Sequence, residues 1–152
     1  MSVYNKLELL GIKLPAATPS AGAYVPVSQI GNTVYVAGHI AKRDGKPLVG
    51  ALGAEFTTAE GKQAARDVAL DLIGTLHGAI GDLNKVTRIA KIMVLVHSAP
   101  TFIEQHLVAN GASELIGEIF GDAGAHARSA FGVAQLPFGS CVEIELIAEV
   151  TS

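Results

Sequence analysis

The chain predicts an α+β fold: a mixed β-sheet with two main helices on one face. Three observations point there. Along the 152 residues, hydrophobic periodicity changes in the order α-β-β-α-β-α-β-β. The run Val142–Val150 alternates, with Val, Ile, Leu, Ala and Val at even positions and three glutamates at odd ones, the mark of a strand with one face against helices. A strand–long helix–strand unit in the middle requires a parallel crossover, so the sheet cannot be purely antiparallel.

Residues 2–10 read as a short helix with Val3, Leu7 and Leu10 on one side and Gly11 as its stop. Residues 12–23 are a Pro/Ala/Gly/Ser loop. Two strands follow, 24–30 and 32–40, joined by a tight hairpin at Gly31-Asn32. Residues 41–57 are polar and Gly-rich, a loop with room for a short edge segment. The clearest helix runs from Thr58 to about Leu83, capped by Thr57 or Thr58 with Glu60 in its first turn. Its apolar stripe is Ala65, Val68, Ala69, Leu72, Ile73, Leu76 and Ile80, and Arg66, Asp67 and Asp71 lie off it. Val86 to Ser98 is a strand whose second half, IMVLV, is apolar on both sides and therefore expected to be covered on both. A second amphipathic helix spans 101–120 before Gly121. Strands at 128–136 and 141–150, joined by the turn Pro137-Phe138-Gly139, complete the chain.

A chain of this length forms one domain, 1–152, with 2–10 as an N-terminal helical extension. Apolar residues make up 49% and charged residues 16%, which excludes intrinsic disorder. Mean hydropathy is high, +0.40, yet no membrane span results. The longest uncharged stretch, Leu14 to Ala41, is interrupted by Pro15, Pro19, Pro26 and several glycines, so no run of about 20 apolar residues survives. Lys6 and Glu8 stand where a signal peptide has its apolar core, so the expected location is cytoplasmic. With only 11 basic and 14 acidic side chains, the apolar excess finds its natural sink in a subunit interface.

The single cysteine, Cys141, excludes an internal disulfide framework and a cysteine-based zinc cage. It begins a strand with no helix N-terminus or adjacent base, so it is not expected to be a nucleophile. The five histidines show no metal-ligand spacing, and no metal is expected. His77 and His106 fall on helices as structural or exposed residues. His39 and His126 sit in small-residue turns where they can line a pocket. No dinucleotide fingerprint or phosphate loop occurs. A net charge of −3 gives no footprint for nucleic acid.

Two residues stand out. Arg128 lies in a stretch with no acid from Ala123 through Cys141. A planar fork without a local carboxylate suits a carboxylate ligand held in two-pronged fashion, although a surface arginine at a strand start looks the same. Glu143 is the first carboxylate of the last strand. Its odd-numbered face is either solvated or, given the apolar Ile147 on it, covered. The residues alone stop at an oligomeric α+β protein that binds a small anion.

The run His126-Ala127-Arg128-Ser129-Ala130-Phe131-Gly132-Val133-Ala134-Gln135-Leu136-Pro137, followed by Val142-Glu143-Ile144-Glu145-Leu146-Ile147-Ala148, resembles the C-terminal signature of the Rid (YjgF-like, endoribonuclease L-PSP-like) reactive-intermediate deaminases. Gly22-Ala23-Tyr24-Val25 is similar to that family's Gly-Pro-Tyr loop, and Val36-Ala37-Gly38-His39-Ile40 to its Ser-Gly-Gln-Ile strand. The resemblance implies a chorismate-mutase-like (bacillus-type) fold assembled as a homotrimer around a central barrel, with clefts between subunits. It implies hydrolysis of small enamines and imines such as 2-aminoacrylate to 2-keto acids and ammonia, without a cofactor. By the resemblance, Arg128 holds the substrate carboxylate and Glu143 positions the attacking water. Tyr24, Ala37, Gly38, His39, Ala130 and His126 line the pocket. Ala130 replaces the family's cysteine, Ala37 its strand serine, His39 its glutamine and His126 its proline. These departures mark a separate, longer subgroup. Two rival classes stay open: a non-catalytic trimer that senses a keto or amino acid, and a ribonuclease. The negative charge and the 5% aromatic content count against RNA. Glu143 separates enzyme from sensor, because a sensor needs only the arginine.

Overall fold

The computed structural model describes residues 1–152. The elements are α1 (Val3–Leu9), β1 (Val27–Ile30), β2 (Thr33–Ile40), β3 (Lys42–Arg43), β4 (Lys46–Pro47), α2 (Thr58–Ile80), β5 (Val86–His97), α3 (Gln105–Phe120), β6 (Ala127–Val133) and β7 (Val142–Val150). Single 3-10 turns occupy Leu83–Lys85, Gly121–Gly124 and Pro137–Gly139. The main sheet has the order β1-β2-β7-β5-β6. Only β5 and β6 are parallel, joined across α3, so the sheet is mixed as the crossover requires.

Both long helices lie on one face. Even-numbered β7 residues from Val142 to Val150 are buried beneath them, with Ile89, Ile92, Val94 and Val96 of β5 alongside. The α2 stripe from Ala65 to Leu76 closes this core. Two devices fix α2 at its ends. Thr57 and Glu60 form a reciprocal capping box, and Gly81 takes the left-handed conformation, φ 80°, after the last turn. Asp82 then caps the separate 3-10 turn that contains Leu83, so the helix stops at Ile80 instead of reaching Leu83. The two helices approach closely at Gly111, where any side chain would strike the Lys62 carbonyl. No helix is long and apolar enough to cross a membrane.

Other boundaries shift for local reasons. The first strand begins at Val27, not Tyr24, because Pro26 has no N–H for the ladder and 21–24 form bends. Helix α3 begins at Gln105, not Thr101. Its first side chain turns back to the Phe102 carbonyl, Nε2 donating at 2.8 Å, and 101–104 are left as a turn. Strand β6 ends at Val133, short of Leu136. The 41–57 segment holds a tiny hairpin, β3–β4. Its turn, Asp44-Gly45, has positive φ at both residues, 54° and 76°, as a type I′ connection demands. The expectation that the second half of β5 is covered on both faces fails within the chain. Met93 and Leu95 on the far side are only half-buried, and Phe131, paired with Leu95, is exposed, as is Tyr35 on β2.

Candidate functional site

A β-bulge creates the site. On β2, Val36 pairs with Leu146 and His39 with Ile144, so Ala37 and Gly38 together stand against the single Glu145. The extra residue reverses the alternation of the strand. Val34 and Val36 point at the helices, and so does His39, which the bulge returns to that side. On the opposite face Glu143 comes to rest on Gly38. A Cβ at position 38 would lie 2.8 Å from Glu143 Oε2, so only glycine leaves the carboxylate room.

His39 is buried and bonded on both nitrogens. Its Nδ1 lies 2.7 Å from the Ala37 carbonyl, which can only accept, so Nδ1 carries the hydrogen. Its Nε2 therefore accepts from Thr75 Oγ1 at 2.8 Å. The same hydroxyl accepts from the Thr18 N–H at 3.0 Å. This chain of bonds ties the N-terminal loop, α2 and the bulge together. Burial holds the His39 pKa below its ordinary value, only partly opposed by the Ala37 carbonyl and by Asp71, so the ring is neutral.

Tyr24, Ala37, Gly38, His39 and Glu143 all line one cavity of about 360 Å³. Asp71 and Lys42 also reach it. Burial, with Glu145 as a lesser cause, raises the Glu143 carboxyl above the usual range. Burial likewise raises Asp71, against the pull of His39 and Lys42. Neither carboxylate enters an ion pair. Asp71 and Thr75 were not singled out from the sequence. They stand one helical turn apart on α2, and that spacing was the available signal.

The remaining sequence candidates lie elsewhere. Arg128, Ala130 and His126 belong to the β6 edge, not to the cavity. Arg128 pairs in register with Ile92 and points to the helix side, whereas Glu143 occupies the opposite face with β5 between them. Arg128 donates from Nη1 to Asn110 Oδ1 at 2.8 Å and to Ser113 Oγ at 3.2 Å, and from Nη2 to the His106 carbonyl at 3.3 Å. All three acceptors are uncharged groups of α3, so the guanidinium keeps its charge uncompensated. His126 is not a pocket residue of this chain. Its Nδ1 donates to the Gly124 carbonyl at 2.6 Å, and its Nε2 accepts from Ser113 Oγ at 2.9 Å. Cys141 is buried, and burial pushes its thiol up to about 11, far from a thiolate at neutral pH.

The chain has clear relatives among known proteins. The family model described as YjgF/chorismate mutase-like, putative endoribonuclease, matches residues 5–150. Protein TCP17 of Trypanosoma cruzi is 47% identical over 152 residues, covering 99% of this chain and 95% of that protein. The crystal structure of Atu1372 from Agrobacterium tumefaciens, a protein of unknown function, is similar with a TM-score of 0.90 and 40% identity, over 98% of this chain and 92% of its own. RidA from an Antarctic Psychrobacter superposes less fully, with a TM-score of 0.60 and 27% identity over 88% of this chain and 94% of its own. The match spans nearly the whole chain, and the chain belongs to the YjgF/chorismate mutase-like family.

Proposed function

We propose that the chain hydrolyses small imines and enamines of 2-keto acids, releasing ammonia, at sites completed between copies in a homotrimer. The observation that carries this reading is Glu143: a half-buried carboxylate with a raised pKa and no partner, held against Gly38 in a cavity. Such a group is a stronger base than an exposed glutamate, which is what activating a water near neutral pH calls for. Kinship with RidA supports the same class of chemistry.

The placement of the two residues supports the oligomer. One chain cannot bring Arg128 and Glu143 onto one small molecule, since they point from opposite faces of the sheet with a strand between them. A second copy can present its Arg128 to the cavity. The half-exposed apolar face with Tyr35, Met93, Leu95, Phe131 and Ile147 gives that copy a surface to cover.

In the reaction, Arg128 of a second copy holds the substrate carboxylate. An enamine first becomes the imine by moving its nitrogen-bound proton to carbon. Glu143 takes a proton from water as the hydroxyl oxygen bonds to the imine carbon and the C=N π pair moves to nitrogen. The nitrogen takes a proton from solvent, forming a carbinolamine; the hydroxyl proton lost at the end returns one to solvent. Return of the Glu143 proton to nitrogen accompanies C–N cleavage, and the hydroxyl becomes the ketone as its own proton leaves. One water is consumed and one ammonia released, so no oxidant or reductant enters. Fixing the substrate at both ends makes the water attack effectively unimolecular.

Ammonia release from imines generated freshly in solution tests the reading. Acceleration above the rate in buffer is the expected result. Binding of 2-keto acids with no acceleration for any imine would replace the hydrolase with a sensor.

A further inference from the structure

The cavity is larger and more apolar than 2-aminoacrylate requires. About 360 Å³ lies within the range of roughly 300–1,000 Å³ that accommodates drug-sized ligands. Its polar groups, Glu143, Asp71, His39 and Lys42, are joined by an apolar wall made by Tyr24, Phe138 and Pro19, Pro26, Pro47 and Pro137. Four proline rings make that wall stiff, because their φ angles are fixed.

Phe138 is the unusual member. It has φ 59° and ψ 12°, the left-handed region, in a non-glycine residue. It is also 69% exposed, so little packing within the chain offsets the backbone cost of that conformation. The adjoining Gly139, at φ 73°, could have carried a turn alone. An aromatic ring held at a cavity rim against its own backbone preference, and without a partner, points to a ligand that it meets. Tyr24, the other exposed aromatic on this cavity, has its hydroxyl engaged by the Ala21 N–H at 3.3 Å and so keeps its position.

We propose that Phe138, with Tyr24 and the proline wall, selects imino acids bearing a branched or aromatic side chain over 2-aminoacrylate. This rests on the hydrolase reading above and names its substrate class. The carboxylate goes to the arginine of a second copy, the imine carbon to Glu143, and the side chain to the apolar wall. A single methylene would leave that wall unfilled, and burying a larger side chain there is worth about tenfold or more in kcat/KM.

Phe138→Gly is the informative variant, because glycine adopts the left-handed conformation freely and removes only the ring. Its melting temperature should match or exceed the parent's. Imines made in place from phenylalanine, leucine and alanine by an amino-acid oxidase with catalase would be compared by ammonia release. Binding of phenylpyruvate and pyruvate would be compared by calorimetry on the same preparations. The expected result is a preference of at least about tenfold for the large imine and for phenylpyruvate, cut by about tenfold in Phe138→Gly. Equal or better handling of the alanine imine and of pyruvate would overturn the proposal, as would a ratio that Phe138→Gly leaves unmoved. Dissociation of the oligomer in Phe138→Gly would also overturn it, by making the ring a subunit contact. If no imine is hydrolysed but phenylpyruvate outbinds pyruvate in a Phe138-dependent way, the wall stands and the hydrolase reading falls.

Discussion

Two histidines, toward opposite edges of the sheet, are wired alike. His39 donates from Nδ1 to the carbonyl two residues before it and accepts at Nε2 from a helix hydroxyl, Thr75 of α2. His126 does the same with the Gly124 carbonyl and Ser113 of α3. Each clamps the segment before a site residue to a helix. The third partner differs. Thr75 accepts from the neutral Thr18 N–H, whereas Ser113 accepts from the Arg128 guanidinium. One clamp therefore steadies a bulge beside an unpaired carboxylate, and the other steadies an unpaired cation. The chain keeps its unpaired carboxylate and its unpaired cation apart.

Breaking the carboxylate side should have the largest effect. Glu143→Gln keeps shape but cannot accept a proton. Ammonia release should fall by on the order of a hundredfold or more, roughly 2.7 kcal/mol of transition-state stabilisation. Affinity for 2-keto acids should persist or rise. Because burial makes the charged form of Glu143 unfavourable, the amide should also melt no lower than the parent at neutral pH, as is common where a site residue is held against stability. Turnover at the parental rate would remove Glu143 from the mechanism.

The arginine side sharpens the comparison through mixing. Arg128→Ala should weaken both keto-acid binding and turnover, and Arg128→Lys should restore them only partly, since a point charge lacks the two-pronged geometry. If the two groups meet only across copies, mixed assemblies of Glu143→Gln and Arg128→Ala chains should regain activity. Random head-to-tail association of equal amounts gives about a quarter of sites with both native residues. Co-refolded mixtures that stay as inactive as either variant would show that both groups act from one chain.

How much of this was legible in the sequence varies with how far apart the cooperating residues lie. The β7 alternation and a threonine cap at 57 or 58 were readable because strand and cap rules act over a few residues. The bare charge of Arg128 was readable from the lack of nearby acids, but Asn110 and Ser113 were not, because only the docking of α3 on β6 brings them to it. The orientation of His39 depends on the bulge at Ala37-Gly38, which no alternation pattern predicts. Pro26 carried the reason for the late start of the first strand, yet the apolar run from Tyr24 outweighed it in the reading of 24–30 as a strand. The turn at Pro137-Phe138-Gly139 was readable, whereas its left-handed phenylalanine was not, since glycine is the residue expected there.

Smaller effects separate position from fold. Gly38→Ala should cut turnover about tenfold by pushing the Glu143 carboxylate aside, while melting changes little, because the clashing atom is the end of a flexible side chain. Thr75→Val removes the hydroxyl between Thr18 and His39 and should cost about 1–3 kcal/mol through unpaired buried groups. Ser113→Ala, on the more exposed side, should cost less. The His39 clamp also carries a pH response. The His39 pKa is lowered on folding, so below the ordinary histidine value the unfolded chain binds more protons, and stability falls as pH drops through that window. The raised carboxyls of Glu143 and Asp71 act with the opposite sign, favouring the folded state as they protonate in acid. His39→Gln should therefore lose part of the parental decline in melting temperature from neutral to mildly acidic pH. An unchanged slope would mean that His39 titrates as it does in the unfolded chain.

Cys141 lies at the head of β7, two residues before Glu143, and belongs to neither clamp. Its backbone is fixed by bonds to Leu48 and His97, the N–H donating at 3.0 Å and the carbonyl accepting at 2.9 Å. Those bonds survive any side chain, so the path of β7 into the cavity does not depend on sulfur. Its thiol is buried and pushed up to about 11, so the thiolate that a nucleophile needs is scarce at neutral pH. Cys141→Ala should keep kcat/KM within about twofold and lose on the order of 1 kcal/mol of stability to the small cavity left behind. Cys141→Ser keeps the volume but buries a hydroxyl, so it should be the less stable of the two unless the hydroxyl finds an acceptor. The native protein should resist alkylation by iodoacetamide until it unfolds. Rapid alkylation that abolishes ammonia release, together with a hundredfold loss in well-folded Cys141→Ala, would make sulfur the reacting group and reduce both clamps to scaffolding.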